Sequence, residues 1–188
     1  LSSRNNNTTT ITGNITADDA DAIYLNAADS NTFNLSGTIS TDGSSKHGVS
    51  LSGGSVNNTF NLASGGNITA TGSSSSGIKL VSSSSLTALT NLGTISGTDY
   101  GINVSSSTIA TINNLQSGLT YNGVVPSNYN IIIREYGAEY GKTTFSGVSG
   151  TMAFGIDLTN SGTGIGDKTY EDVLTGIASS GVLSATTG

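Results

Sequence analysis

Three stretches of this chain have nearly the same wording, and a chain that repeats itself every 24 to 29 residues has few folds open to it. NTFNLSGTIS (31–40), NTFNLASGGNITA (58–70) and LTALTNLGTISG (86–97) each run on into a short apolar phrase, GVSL, GIKL or GINV. Alignment gives three sets of anchors. The middle set is Ile15, Ile39, Ile68 and Ile95, at separations of 24, 29 and 27 residues. The following set is Ile23 with Leu25, Val49 with Leu51, Ile78 with Leu80, and Ile102 with Val104. The leading set runs Ile11, Phe33, Phe60, Leu89 and Ile112. All three drift together, as expected of one repeat of variable length.

Inside a unit the apolar residues alternate: Phe33 and Leu35 flank Asn34, Ile78 and Leu80 flank Lys79, and Ile102 and Val104 flank Asn103. A period of two means a strand with one buried face. Repeats of this length built from short strands stack as a solenoid. The expected fold is therefore all-β, a right-handed parallel β-helix of about four to five coils, with neighbouring coils paired roughly 4.8 Å apart. Burying about five side chains per coil, at about 1.5 to 3 kcal/mol each, does not offset ordering costs of about 1 to 2 kcal/mol per residue. No coil is stable alone, and stacking supplies the remainder. Length variation is assigned to turns at TDGSSKH (41–47), TGSSSS (71–76) and GTD (97–99). Asn34, Asn61, Asn91 and Asn114 recur beside the leading anchors, where either stacked amides or plain turn preference would place them.

The repeat stops after Leu119, and the expected division is a β-helix over residues 1–119 and a C-terminal capping or assembly module over 120–188. Five of the seven tyrosines and two of the four phenylalanines lie in the second part. YNIIIREYG (129–137), YGKTTFSGV (140–148) and TMAFGIDL (151–158) are expected strands. DKTYEDVLTGIA (167–178) is an expected short helix, capped by Asp167, with Tyr170, Val173, Leu174 and Ile177 on one face and Gly176 or Gly181 at its end. Val182 and Leu183 begin a further strand.

Composition narrows the function classes. Six basic against twelve acidic residues give a net charge of -6, which disfavours a nucleic-acid partner. No run of about 18 apolar residues is present to form a transmembrane helix. The absence of cysteine removes disulfides and thiolate metal sites. The opening at LSSRNNNTTT suggests a mature or trimmed product. Low charge with abundant Ser, Thr, Asn and Gly fits a secreted or bacterial surface protein.

No catalytic, cofactor or metal residues are assigned. Asp18, Asp19 and Asp21 form the one dense acidic cluster but lack the spacing of a calcium loop, so a solvated turn is expected. His47, beside Lys46, is expected on the surface. Lys79 points outward with Ser50 and Asn103 as aligned neighbours, and Arg134, Glu135 and Glu139 are expected to form exposed ion pairs. Sequons such as Asn14-Ile15-Thr16 arise by chance in so Asn- and Thr-rich a chain. TTTIT (8–12) suggests a threonine rank of the ice-binding kind, but the expected outward threonines do not hold one column in later coils.

The NxGTISG phrases, clearest at residues 91–97, and the GI-x-L strands resemble the passenger domains of bacterial autotransporters, and PSNYNIIIREYGAEYGKTTF through FGIDL to TYEDVLTGI resembles the segment that ends such passengers. The resemblance spans essentially the whole chain. It implies a β-helical stalk at the bacterial surface with adhesive or structural roles, although no signal peptide or membrane barrel accompanies it. The first reading is a non-catalytic extracellular structural protein (adhesin, coat or filament subunit) that forms homo-oligomers through strand edges and contacts a host or matrix glycan or protein. The alternative is a carbohydrate-binding or carbohydrate-active β-helix using Tyr24 and Tyr100.

Overall fold

The computed structural model describes residues 6–134, 138–162, 169–177 and 183–186, the last four by backbone alone. The chain winds into a parallel β-solenoid of about six turns. Three sheets run along its axis. Sheet I has eight strands: Thr8–Ile11, Thr32–Leu35, Asn58–Leu62, Ser85–Asn91, Thr108–Asn114, Asn128–Ile131, Met152–Ile156 and Leu183–Thr186. Sheet II has four: Ile15–Ala17, Thr38–Thr41, Asn67–Ala70 and Thr94–Gly97. Sheet III has seven: Ile23–Asn26, Val49–Ser52, Ser76–Leu80, Tyr100–Val104, Leu119–Val124, Thr143–Ser149 and Leu174–Thr175.

Register follows the repeat. Ile15, Ile39, Ile68 and Ile95 pair successively in sheet II. Ile23, Val49, Ile78 and Ile102 do the same in sheet III, with Leu25, Leu51, Leu80 and Val104 two residues on. In sheet I the column is Phe33, Phe60, Leu89, Ile112, Tyr129 and Phe154. The expected leader Ile11 is out of this column. It pairs with Leu35, and Thr9 stands below Phe33. Alternation alone does not choose between two registers two residues apart, and Ile11 gains burial in either. Phe33 and Phe60 stack with ring centroids 4.7 Å apart, so the column is continuous aromatic and aliphatic contact.

The number of coils exceeds the expected four to five because the sheets do not end with the repeat. Residues 119 and 120 lie inside the strand Leu119–Val124, and sheets I and III continue through the tyrosine-rich part. Tyr121 stacks on Ile102 and under Phe145, replacing aliphatic anchors by rings of larger volume. The coil between Thr108 and Val124 has no sheet II strand, which shortens the spacing from Ile102 to its partner Tyr121 to 19 residues.

Among the described residues 169–177 the expected helix is absent: the chain bends at Asp172 and Val173, and Leu174–Thr175 pairs in parallel with Thr143–Thr144. Its expected cap, Asp167, and alternative end, Gly181, lie outside the described residues. The 3.6-residue pattern of Tyr170, Val173, Leu174 and Ile177 is real, but the open edge of Thr143–Ser149 offers ladder bonds that override a weak local preference. Tyr170 packs edge-on to Tyr140 at 5.2 Å.

Corners between sheets II and III need glycine. Gly48, Gly77 and Gly101 stack there, and a Cβ on Gly77 would sit 2.8 Å from the Gly101 carbonyl oxygen and 2.8 Å from Ile95 Cγ2. This accounts for the invariant first letter of GVSL, GIKL and GINV.

Ile39 and Ile68 are fully buried, whereas Ile15 is half-buried under the first coil. Replacing Ile39 or Ile68 by Ala is expected to cost about 2 to 5 kcal/mol, and Ile15→Ala clearly less. Urea unfolding of the three variants checks the order.

Candidate functional site

Charge is excluded from the walls of the solenoid. Among all strands of sheets I, II and III the one charged residue is Lys79, which stands outward on sheet III between Ser50 and Asn103. The remaining charges of the first four coils, Asp18, Asp19, Asp21, Asp29, Asp42, Lys46 and Asp99, lie in the connections. Asp18 and Asp19 are exposed, but Asp21 turns along the solenoid and its Oδ1 accepts the backbone N–H of His47 at 2.7 Å. Among the described residues no three His, Cys, Asp or Glu side chains gather as a metal site.

His47 departs from the expectation of a surface residue. It is buried, and its Nδ1 accepts the backbone N–H of Ser76 at 3.0 Å. The side chain of one coil thus caps an amide of the next, as Asp21 does for His47 itself. The sequence held a signal for this. Asp21, His47, Ser76 and Tyr100 each precede an inward anchor by two residues, so they share its face. Burial lowers the pKa of His47, opposed chiefly by the charge of Asp21, with Lys79 reinforcing the lowering and Asp99 opposing it. A ring that accepts at Nδ1 carries its single proton on Nε2.

A second buried polar cluster closes sheet II. Asn91 and Asn114 are fully buried, and Asn91 Nδ2 donates to Asn114 Oδ1 at 2.9 Å. Asn114 Nδ2 donates to the Tyr129 hydroxyl at 3.0 Å, and that hydroxyl is also bonded to Thr143 Oγ1. Burial pushes the Tyr129 phenol up to about 12. Gln116 completes the cluster: Ile95 N–H donates to its Oε1 at 2.8 Å and its Nε2 donates to Ile95 O at 3.2 Å. One carboxamide thus makes the two bonds that a fifth backbone strand would make on Thr94–Gly97. Beside it, Leu92, Gly93, Gln116, Tyr140 and Lys142 line a groove of about 690 Å³. Tyr140 is held by Lys142 Nζ 4.8 Å over its ring and by its own hydroxyl donating to Glu171 O at 3.1 Å.

The four recurring asparagines, for which stacked amides and turn preference were both open, form separate amide pairs and not one ladder. Asn34 and Asn61 face outward on sheet I, joined by Asn61 Nδ2 donating to Asn34 Oδ1 at 2.9 Å, whereas Asn91 and Asn114 point inward. Outward amides also pair at Asn113 and Asn130, 2.9 Å apart. Sequence reading missed Asn31 and Asn58, a buried pair at the corner into sheet I: Asn31 Nδ2 donates to Asn58 Oδ1 at 3.2 Å. Arg134 donates from Nε to Asn160 O at 3.2 Å. Glu139 is exposed, and Glu135 lies outside the described residues. Tyr24, 47% exposed, belongs to the first coil and Tyr100 to the fourth, about 14 Å apart along the axis. They share no column and are not brought together.

At the underside of the first coil, core side chains meet solvent. Thr9, Ile11, Ile15, Ala22, Ile23 and Phe33 line a hollow of about 200 Å³ there, and Ile11 and Ile15 are half-buried. Among the described residues no strand pairs with the lower edges of Thr8–Ile11, Ile15–Ala17 or Ile23–Asn26. No family model matches the chain, and neither a curated protein nor a solved structure matches it.

His47 is neutral in the fold and protonates readily when unfolded. Its contribution is complete above the ordinary value of 6.5 and is lost as the pH falls through the lowered folded value. His47→Asn keeps an acceptor for Ser76 N–H without the titration. Thermal unfolding between about pH 8 and 5 is expected to show a smaller loss of stability for the variant than for the natural chain.

Proposed function

We propose that this protein is a non-catalytic structural component of a bacterial cell surface or of secreted material, which builds stalks, coats or filaments by stacking copies head to tail. The observation that carries the proposal is the underside of the first coil, with three strand edges unpaired among the described residues around a half-exposed apolar core. A parallel solenoid repeats by translation along its axis, so the hydrogen-bond polarity of an upper edge matches that of a lower edge in another copy. Such a heterologous contact does not close on itself and propagates as a filament.

The autotransporter-passenger resemblance of the GTIS phrases and of the closing segment supports a surface location, as does a chain low in charge and free of cysteine. Right-handed winding fits the strong preference of parallel crossovers. Roles in adhesion belong to the same reading, with the side walls left free for a partner. Tyr24 and Tyr100 do not share a site, so the proposal gives them no ligand.

Sedimentation velocity and negative-stain electron microscopy over a range of concentrations test the stacking. The natural chain is expected to form end-to-end particles that lengthen with concentration, and Ile15→Lys, at the half-buried underside, is expected to remain monomeric with unchanged circular dichroism. A natural chain that stays monomeric at every concentration, or a variant that assembles equally well, overturns the proposal.

A further inference from the structure

The outer face of sheet I carries two columns of uncharged side chains, hydrogen-bonding at every position but Ala88, that hold register for several coils. One column is Thr8, Thr32, Thr59, Ala88, Thr111 and Asn128. The other is Thr10, Asn34, Asn61, Thr90, Asn113 and Asn130. Outward threonines, expected not to hold one column, share one in the first three coils and again at Thr111. The break is real in the fourth coil, where Ala88 takes the threonine position beside a bulge at Thr87.

The second column is also the floor of a groove. Thr10, Asn34, Asn61 and Thr90 line a depression of about 430 Å³, with Leu92 beside them and Asn160 from a later coil at its end. Asn61 Nδ2 is bonded to Asn34 Oδ1. Within the described residues that leaves the Asn34 amide nitrogen, the Asn61 carbonyl oxygen and the Thr90 hydroxyl to face the groove without partners. These groups donate and accept alternately, and no charged side chain stands on any strand of the sheet.

We infer that this groove binds a neutral, linear polysaccharide lying along the solenoid axis. Three features select that ligand. Uncharged walls give nothing to an anionic glycan, a phosphate or a basic peptide, whose charges would be desolvated without a partner. The rungs recur about every 4.8 Å, close to the rise of one hexose along an extended β-linked chain, so each successive sugar meets an amide or a hydroxyl of the column. A concave site with a few convergent polar groups is the form that small-ligand sites take, and its concavity, with amides in place of half the hydroxyls, departs from the flat face that an ice lattice needs. The site is on the side wall, so it is independent of end-to-end stacking.

Titration of the full chain with cellohexaose, followed by calorimetry or by amide chemical shifts, tests the inference, with oligogalacturonate of equal length as the charged control. Cellohexaose is expected to bind and oligogalacturonate not. Thr90→Val, which removes one hydroxyl at constant shape, and Asn61→Ala are each expected to weaken binding by up to about tenfold. Thr69→Val, on the outer face of sheet II, is expected to leave it unchanged. Circular dichroism of each variant separates lost binding from lost fold. Absence of binding to cellohexaose, chitohexaose and xylohexaose alike overturns the inference, as does equal loss in Thr69→Val. Thermal hysteresis in freezing solution without glycan binding assigns the face to ice and overturns it equally.

Discussion

The structure depends on parallel, in-register stacking of one coil on the next. Each strand of the three sheets finds its ladder partners in the coils above and below, and each inward anchor stands over its counterpart one coil away. Ile15, Ile39, Ile68 and Ile95 express both demands at once. The columns allow substitution by kind, as when Phe33 and Phe60 give way to Leu89 and Ile112, but not a shift by one residue, which would turn the apolar face to water. Apart from the single-residue bulge at Thr87, insertions fall in the connections, where 24-residue and 29-residue spacings coexist in adjacent coils.

Corners pose the harder problem, because the chain turns there and its amides leave the ladder while remaining buried. The protein meets it with side chains that act for the neighbouring backbone. Asp21 accepts from His47 N–H, His47 from Ser76 N–H, and Asn58 from Asn31 N–H at 2.9 Å. Gln116 does the same at the edge of sheet II, where one carboxamide stands in for a strand. An unmade buried bond costs about 1 to 3 kcal/mol, comparable with the burial of one anchor side chain, so these residues matter to stability as much as the apolar columns. His47 adds a dependence on pH because a titratable ring has been used as an acceptor.

The sheets were legible in the sequence because period-two alternation and a long-range repeat are both written in residue types. The first four strands of sheets II and III could be placed to the residue, from Ile15 to Ile95 and from Ile23 to Val104, and Lys79 was placed correctly on the outside. Ile11 was misplaced by two positions, since a register error of two preserves the face and leaves no trace in polarity. The continuation past Leu119 was hidden because Tyr121 and Tyr129 replaced Ile and Leu, and because a missing sheet II strand broke the spacing. Leu174 read as helical since local periodicity carries no knowledge of the open edge at Thr143. The burial of His47 could have been found from its place two residues before Val49, but its bond to Ser76 and those of Gln116 could not, because hydrogen bonds between coils depend on which polar side chain lies over which amide.

Function rests on the same geometry, since both the proposed stacking and the proposed glycan groove require an exact translation from coil to coil. Disulfide trapping tests it directly, because the natural chain has no cysteine. Ser40 and Thr69 are register partners on the outer face of sheet II, and Ser96 lies one strand further on. Adjacent parallel partners about 4.8 Å apart fall within disulfide reach, whereas partners two strands apart do not. The double variant Ser40→Cys with Thr69→Cys is expected to oxidise to an intramolecular disulfide without loss of fold, and Ser40→Cys with Ser96→Cys to keep free thiols. Efficient bridging of the second pair, or none of the first, would contradict the solenoid.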